Sequence, residues 1–163
     1  MKTYTKRATE TNMKETFAIP AVGAIIVKHV GDEEYILVQT REKNSCDGTD
    51  GLLEIPAGKI REYENIFEAL KREVWEETGL HITKIYGEGE SQFLDIDGNK
   101  TILFNPYCVT QNLSGAYSLI LSTFLCEAEG ELLKKTNETE DIRRMRRDEL
   151  KVIVANNQEQ ISL

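Results

Sequence analysis

The segment "GKIREYENIFEALKREVWEETGL", Gly58 to Leu80, constrains this chain more than any other, because it joins a strong helix signal to an unusual crowd of like charges. The apolar spacing predicts a helix from Asn65 to Thr78, ended by Gly79 as the residue just past the C-terminus. On a wheel of about 100° per residue with Glu73 at zero, Glu77 falls at about 40° and Glu76 at about 300°. Leu70, Val74 and Phe67 fall at about 60°, 100° and 120° on the same wheel, so the acidic arc adjoins the apolar stripe that must be buried. Carboxylates three and four residues apart repel in water, and repel more when partly desolvated. Two arrangements relieve that repulsion. Hard divalent cations such as Mg²⁺ or Mn²⁺ take oxygen ligands from carboxylates one turn apart. The alternative is a solvated face laced with ion pairs, for which Glu68 and Arg72 have i, i+4 spacing.

The rest of the chain reads as strands around that helix. Residues 1–16 are polar and mixed in charge and are expected to form an N-terminal arm, with one domain over 17–163. "FAIPAVGAIIVKHV" and "YILVQTRE", joined by "GDEE", predict a hairpin of β-branched strands. "KNSCDGTDG" (43–51) reads as a loop, and "LLEIPA" as a short extended stretch in which Pro56 opposes a central strand. "ITKIYGEGESQFLDI", "TILFNPYCVT" and "AYSLILSTFLCEA" predict three further strands, with a hairpin turn at "DGN" (97–99). A short strand at Ile142–Met145 precedes a final amphipathic helix in "RDELKVIVANNQ", for which Asp148 is a candidate cap.

Charge and cysteine usage limit what such a chain can do. A chain of 163 residues that is 40% hydrophobic suits one core, and a net charge of −8 opposes stable, sequence-independent binding of nucleic acid. An anionic small molecule therefore needs local positive charge, from a metal or a few Lys and Arg. Cys46, Cys108 and Cys126 match neither the close pairs of a zinc site nor a disulfide framework. The first residues lack the apolar core of a signal peptide, and no window reaches the roughly 18 apolar residues of a membrane span. The expected setting is cytoplasmic, with no membrane partner.

The spacing of the crowded segment adds a resemblance. Gly58, Glu64, Arg72, Glu73, Val74, Glu76, Glu77, Gly79 and Leu80 fill every specified position of G-x5-E-x7-R-E-U-x-E-E-x-G-U, where U is apolar. This resembles the Nudix box. The resemblance implies an α/β fold, an α/β/α sandwich with a mixed β-sheet, and hydrolysis of a nucleoside diphosphate linked to another group by water attack at phosphorus. It implies Mg²⁺ (or Mn²⁺) held by Glu73, Glu77, Glu76 and the Ala57 carbonyl. Arg72 would orient the carboxylates, while Glu64, Gly79 and Leu80 would be structural, Glu64 also suiting the helix dipole. Gly58 lacks a Cβ, which lets the backbone approach an ion or substrate closely. Glu76 is one candidate to orient the attacking water. A general base from a distant loop would come from "KKTNETEDI" (134–142), with Glu138 and Glu140 as candidates.

Outside the box, "LLEIPAGKI", which includes Glu54, and the run from Leu113 to Glu131 resemble the ADP-ribose diphosphatases of that family. Leu113-Ser114-Gly115 lacks the proline usual there, and only residues 1–16 precede the first strand. The expected substrate is thus a small nucleotide derivative, ADP-ribose or a nucleotide sugar first, with a nucleoside triphosphate as alternative and a homodimer as the assembly common in that group. Tyr107, Tyr117 and Phe104 are candidates to stack on a base, Tyr117 above the others. Trp75, at about 200° on the wheel, is expected to pack beneath the N-terminal arm. A third alternative is a nucleotide sensor without turnover, although such proteins commonly lose box carboxylates that are present here.

Overall fold

The computed structural model describes residues 15–42, 51–115, 117–136 and 139–161. The first two strands, β1 (Ile19–Val30) and β2 (Glu33–Arg41), form the expected hairpin, turned at Gly31 with φ 62°. They pair only near the turn, from Val27↔Ile36 to Val30↔Glu33. Beyond that point the strands part, and a short segment enters between them. β3 (Leu53–Glu54) pairs with β2 through Gln39↔Glu54, and β4 (Ala57–Lys59) pairs with β1 through Gly23↔Ala57 and Val22↔Gly58. Pro56, which cannot donate to a ladder, separates the two pieces.

Helix α1 (Ile66–Thr78) follows, then β5 (His81–Ile85), β6 (Gln92–Ile96), β7 (Asn99–Leu103), β8 (Cys108–Gln111), β9 (Leu119–Glu129), β10 (Thr139–Arg146) and α2 (Arg147–Asn156). The main sheet runs β10-β2-β1-β9-β5, and β8 extends it beside β9. It is mixed, because β1 and β9 are parallel from Ile19↔Leu119 to Ile26↔Cys126 while the other pairs are antiparallel. Residue parity then places the helices. Val22, Ala24, Ile26 and Leu37 point to one face and join Phe67, Leu70 and Val74 of α1 in the core. Ile36 and Val38 point to the other, where they meet Leu150 and Val154 of α2 around one cavity. The fold is the expected α/β/α sandwich.

Several local expectations need correction. The stretch 82–96 is two strands, interrupted where Gly87 takes φ 88° and a 3-10 turn spans Glu88–Glu90. The stretch 101–110 is also two strands, parted at Asn105-Pro106, because Pro106 lacks the N–H a continuous ladder needs. β6 and β7 form their own two-stranded sheet, turned through Asp97 and Gly98 with φ 52° and 82°, which suits the two left-handed positions of a tight hairpin. The first strand starts at Ile19, leaving Phe17 exposed, and the last strand is longer than Ile142–Met145 at both ends. Arg146, with no side-chain cap bond, occupies the N-cap of α2; Asp148 lies in the first turn, where its charge suits the helix dipole. Residues 1–14, nearly all of the predicted arm, lie outside the described residues, as does the packing expected beneath it; Trp75 is 53% exposed. Among the described residues no helix is long and apolar enough to cross a membrane.

Candidate active site

Helix α1 is fixed at both ends. The Asn65 side chain accepts from the Phe67 N–H at 2.9 Å, and Gly79, with φ 77°, donates its N–H to the Trp75 carbonyl. A Cβ on Gly79 would come within 2.9 Å of the Glu131 carbonyl oxygen, so the box glycine serves as cap and close-packing point. Leu80 is fully buried in the core. Both are among the residues expected to be structural.

Arg72 is the hub of the polar edge. Its Nε and Nη2 donate to the two oxygens of Glu64 at 2.7 and 2.8 Å, a two-point clamp, and Nη2 also donates to the Lys59 carbonyl at 3.2 Å. Its Nη1 donates to Glu73 Oε1 at 2.5 Å and to Glu76 Oε2 at 3.3 Å. The Arg72 guanidinium beside Glu64 pulls that carboxyl down to about 2, and the same partnership raises Arg72. The expected Glu68–Arg72 pair is not formed: Glu68 pairs with Lys71 at 3.2 Å, because Arg72 turns inward to the box carboxylates. Glu64 precedes the N-cap and binds Arg72 and the Arg61 N–H. It therefore anchors the arginine as well as standing near the helix dipole.

Glu77 is the most enclosed carboxylate, at 6% exposure, and among the described residues no other charged side chain is buried. Its Oε2 accepts from Gln39 Nε2 at 2.8 Å and from the Ala57 N–H at 3.1 Å. The same Gln39 nitrogen lies 3.4 Å from Glu54 Oε1, and Arg41 Nη1 donates to Glu54 Oε2 at 3.1 Å. β4 passes directly over the other carboxylate: a Cβ on Gly58 would fall 2.1 Å from the Glu73 carboxyl carbon. Only glycine leaves that room. The inserted β3–β4 segment thus brings Glu54, Ala57 and Gly58 onto the acidic edge of α1.

The donor set fits a hard divalent cation. Glu73, Glu76, Glu77 and the Ala57 carbonyl offer oxygen only, and Gly58 keeps a Cβ out of the space beside Glu73. Among the described residues no three His, Cys, Asp or Glu side chains already converge on one point. The glutamates are instead drawn onto Arg72, Gln39 and the Ala57 N–H, which relieves their mutual repulsion.

On the sheet face opposite α1, a cavity of about 390 Å³ opens beside the same strand. Arg41, Glu54, Gly58 and Lys59 line its polar end, while Ile25, Val38, Leu121 and Val154 are among its apolar walls. Tyr117 is at its rim, with Lys59 Nζ 5.3 Å from the ring centre. Of the other stacking candidates, Phe104 packs on Phe124 at 6.1 Å, against the core, and Tyr107 is exposed outside the cavity lining. Glu140, the second residue of β10, forms an ion pair with Lys135 at 3.7 Å. Glu138 lies outside the described residues. Next to Glu140, buried Thr139 donates to the Glu77 carbonyl oxygen at 3.5 Å, which ties the base of that loop to the end of α1.

Sequence reasoning missed Gln39, Arg41 and Lys59. Gln39 shares a strand face with Leu37, so it falls at an inward position of "YILVQTRE" where an apolar residue is the default, and that breach of alternation was the available signal. Of the thiols, Cys126 is buried and pushed up to about 12 by that burial, and Cys108 is at the cavity wall; Cys46 lies outside the described residues.

Known proteins resemble this chain in sequence and in fold. The NUDIX domain model matches residues 19–162. "Putative nudix hydrolase 1" of Caenorhabditis elegans is 34% identical over 92 residues, which is 56% of this chain, and the match spans only 22% of that relative. Among solved structures, the MutT NUDIX hydrolase of Burkholderia pseudomallei superposes with a TM-score of 0.57 at 21% identity, covering 82% of this chain and 86% of that one. The NUDIX domain of Shewanella oneidensis NrtR, complexed with ADP ribose, gives 0.60 at 12% identity, with 85% and 79% covered. At these identities the structures speak for the fold alone.

Proposed function

The chain belongs to the Nudix family, and from that premise we propose that it is a metal-dependent hydrolase of a nucleoside diphosphate linked to another group, of ADP-ribose or nucleotide-sugar type. One observation carries the reading. The strand Ala57–Lys59 borders the α1 carboxylates and also the cavity of about 390 Å³, so a diphosphate lying along it has room for its organic group next door. The NrtR domain complexed with ADP ribose, which shares this fold, adds support for the ligand class.

Glu73, Glu77, Glu76 and the Ala57 carbonyl would hold Mg²⁺ or Mn²⁺. Bound there, the ion supplies neutralising charge for the diphosphate and acidity for the attacking water. The chain's own residues do the rest. Arg72 holds Glu73 and Glu76 in place from beneath, and Glu64 holds Arg72. Lys59 adds positive charge at the polar end of the cavity, where Arg41 is paired with Glu54, and with the ion would help a protein of net charge −8 receive an anion. Tyr117 offers a ring at the rim for a base. Removal of the water's proton falls to Glu76, 42% exposed in its side chain, or to the 134–142 loop through Glu138 or Glu140.

A substrate screen tests the proposal. With Mg²⁺, product chromatography over ADP-ribose, nucleotide sugars, dinucleoside polyphosphates and nucleoside triphosphates should show cleavage at a diphosphate, fastest for the first two. Preference for triphosphates would reassign the substrate to the alternative class, and tight binding of one compound with no turnover of any would make the domain a sensor. Glu138→Gln and Glu140→Gln, assayed in parallel, locate the base: wild-type rates in both return that role to Glu76.

A further inference from the structure

We infer that Gln39 is a positioning residue that fixes the Glu77 carboxylate for cation binding and links it to the Glu54–Arg41 pair of the cavity; this rests on the reading of Glu77 as a ligand. Gln39 has 0% exposure and faces the α1 side of β2 in a row whose preceding member is Leu37. An amide at such a position is retained against the cost of desolvating it only where it has a polar partner. Here the partners are two carboxylates, Glu77 Oε2 at 2.8 Å and Glu54 Oε1 at 3.4 Å, both facing the same Nε2.

Those partners decide the orientation of the amide. Turning it over would aim Gln39 Oε1 at two anions, so the NH₂ end stays toward them even though buried Oε1 has no hydrogen-bond partner among the described residues. Gln39 is therefore a neutral bridge between two negative groups. It supplies donors where a cation would compete with the metal for Glu77. On Oε2 it is joined by the Ala57 N–H at 3.1 Å, and two donors arriving from β2 and β4 fix the plane in which the carboxylate lies. Glu54, at the other end of the bridge, is held by Arg41 at 3.1 Å and lines the cavity beside it. A ligand group that engages Glu54 thus acts on atoms one hydrogen bond removed from Glu77's own partner, and one that engages Arg41 acts through Glu54, two hydrogen bonds removed.

The test uses Mn²⁺ alone as probe, with affinity read by electron paramagnetic resonance of the free ion and turnover measured separately. Gln39→Met keeps the length of the side chain and removes the donor; thermal melting checks its fold, and Gln39→Asn replaces it if it fails to fold. Glu77→Gln and the double variant complete a cycle. The expected result is a loss of about tenfold or more in Mn²⁺ affinity for Gln39→Met, in the range typical of residues that orient ligands, with the loss vanishing in the Glu77→Gln background. The same variant should lower kcat more than it raises KM. Wild-type affinity in Gln39→Met, or an equal loss in both backgrounds, would overturn the positioning role while leaving Glu77 as a ligand. Unchanged affinity in Glu77→Gln would overturn the ligand reading, and this inference with it.

Discussion

The two helices of the sandwich are built to different standards. α1 buries Ile66, Phe67, Ala69, Leu70, Val74, Glu77 and Thr78, and both of its ends are capped. α2 buries no residue among those described and has no side-chain bond at its N-cap. Apolar burial against the sheet supplies most of a short helix's stability, so α1 is a rigid mount and α2 a looser cover. The functional groups are divided accordingly. Glu73, Glu76, Glu77 and Arg72, the groups that the proposed chemistry needs held in place, are on the rigid helix, whereas Leu150 and Val154, which line the cavity, are on the loose one. Under the proposed function, the metal ligands would be carried by the better-packed helix and one wall of the ligand cavity by the less packed one.

The sharpest way to break this contrast is Glu77→Gln. It should lower Mg²⁺-dependent turnover by more than about a hundredfold, beyond what loss of a ligand-orienting residue costs, with the melting temperature little changed. Next comes a pair of truncations read by urea denaturation. Leu70→Ala in α1 should cost about 2–5 kcal/mol, since Leu70 is fully buried, and Val152→Ala on the exposed side of α2 should stay within about 0.5 kcal/mol. Similar costs for the two would mean that α2 is as firmly seated as α1.

Arg72→Met, studied in the presence of a chelator, probes the hub itself. Losing charged hydrogen bonds to Glu64, Glu73 and Glu76 should cost about 2 kcal/mol at neutral pH. Acid should shrink that difference. Glu64 has a folded-state pKa depressed from 4.5 to about 2, so its contribution is complete above about 4.5 and is lost as pH falls through the folded value. A gap between wild type and variant that is constant down to pH 2 would contradict the pairing. Gly79→Ala forces a side chain into the left-handed region against the Glu131 carbonyl; about 1–2 kcal/mol of stability should go, with the metal site intact.

Sequence legibility follows the same division. The approximate limits of α1, its Gly79 cap and the carboxylate arc beside the core stripe depend on spacings within one helix, and local periodicity exposes those, whereas Asn65, read as the first helical residue, is the N-cap. The box positions also predicted that Arg72 would serve the carboxylates, but its clamp on Glu64 in place of Glu68 required knowing that the chain before the N-cap folds back over the helix. The Gln39 bridge depends on three strands: β2 must part from β1, β3 must pair Gln39 with Glu54, and β4 must put the Ala57 N–H on Glu77. No local period encodes such a meeting, and a lone inward glutamine in "YILVQTRE" was its only trace. The breaks at Gly87 and at Asn105-Pro106 had clearer warnings, since glycine and proline interrupt ladders for simple steric reasons; the alternation of apolar residues around them obscured the signal.

Hydrolysis in H₂¹⁸O tests the central claim most directly. With Mg²⁺ and the best substrate of the screen, mass spectrometry should find one ¹⁸O in a phosphate group of a product for the wild type, and almost no product in the same time for Glu77→Gln. Label on a carbon–oxygen bond instead of on phosphorus, or equal product from Glu77→Gln, would contradict a diphosphate-cleaving centre at the acidic edge of α1.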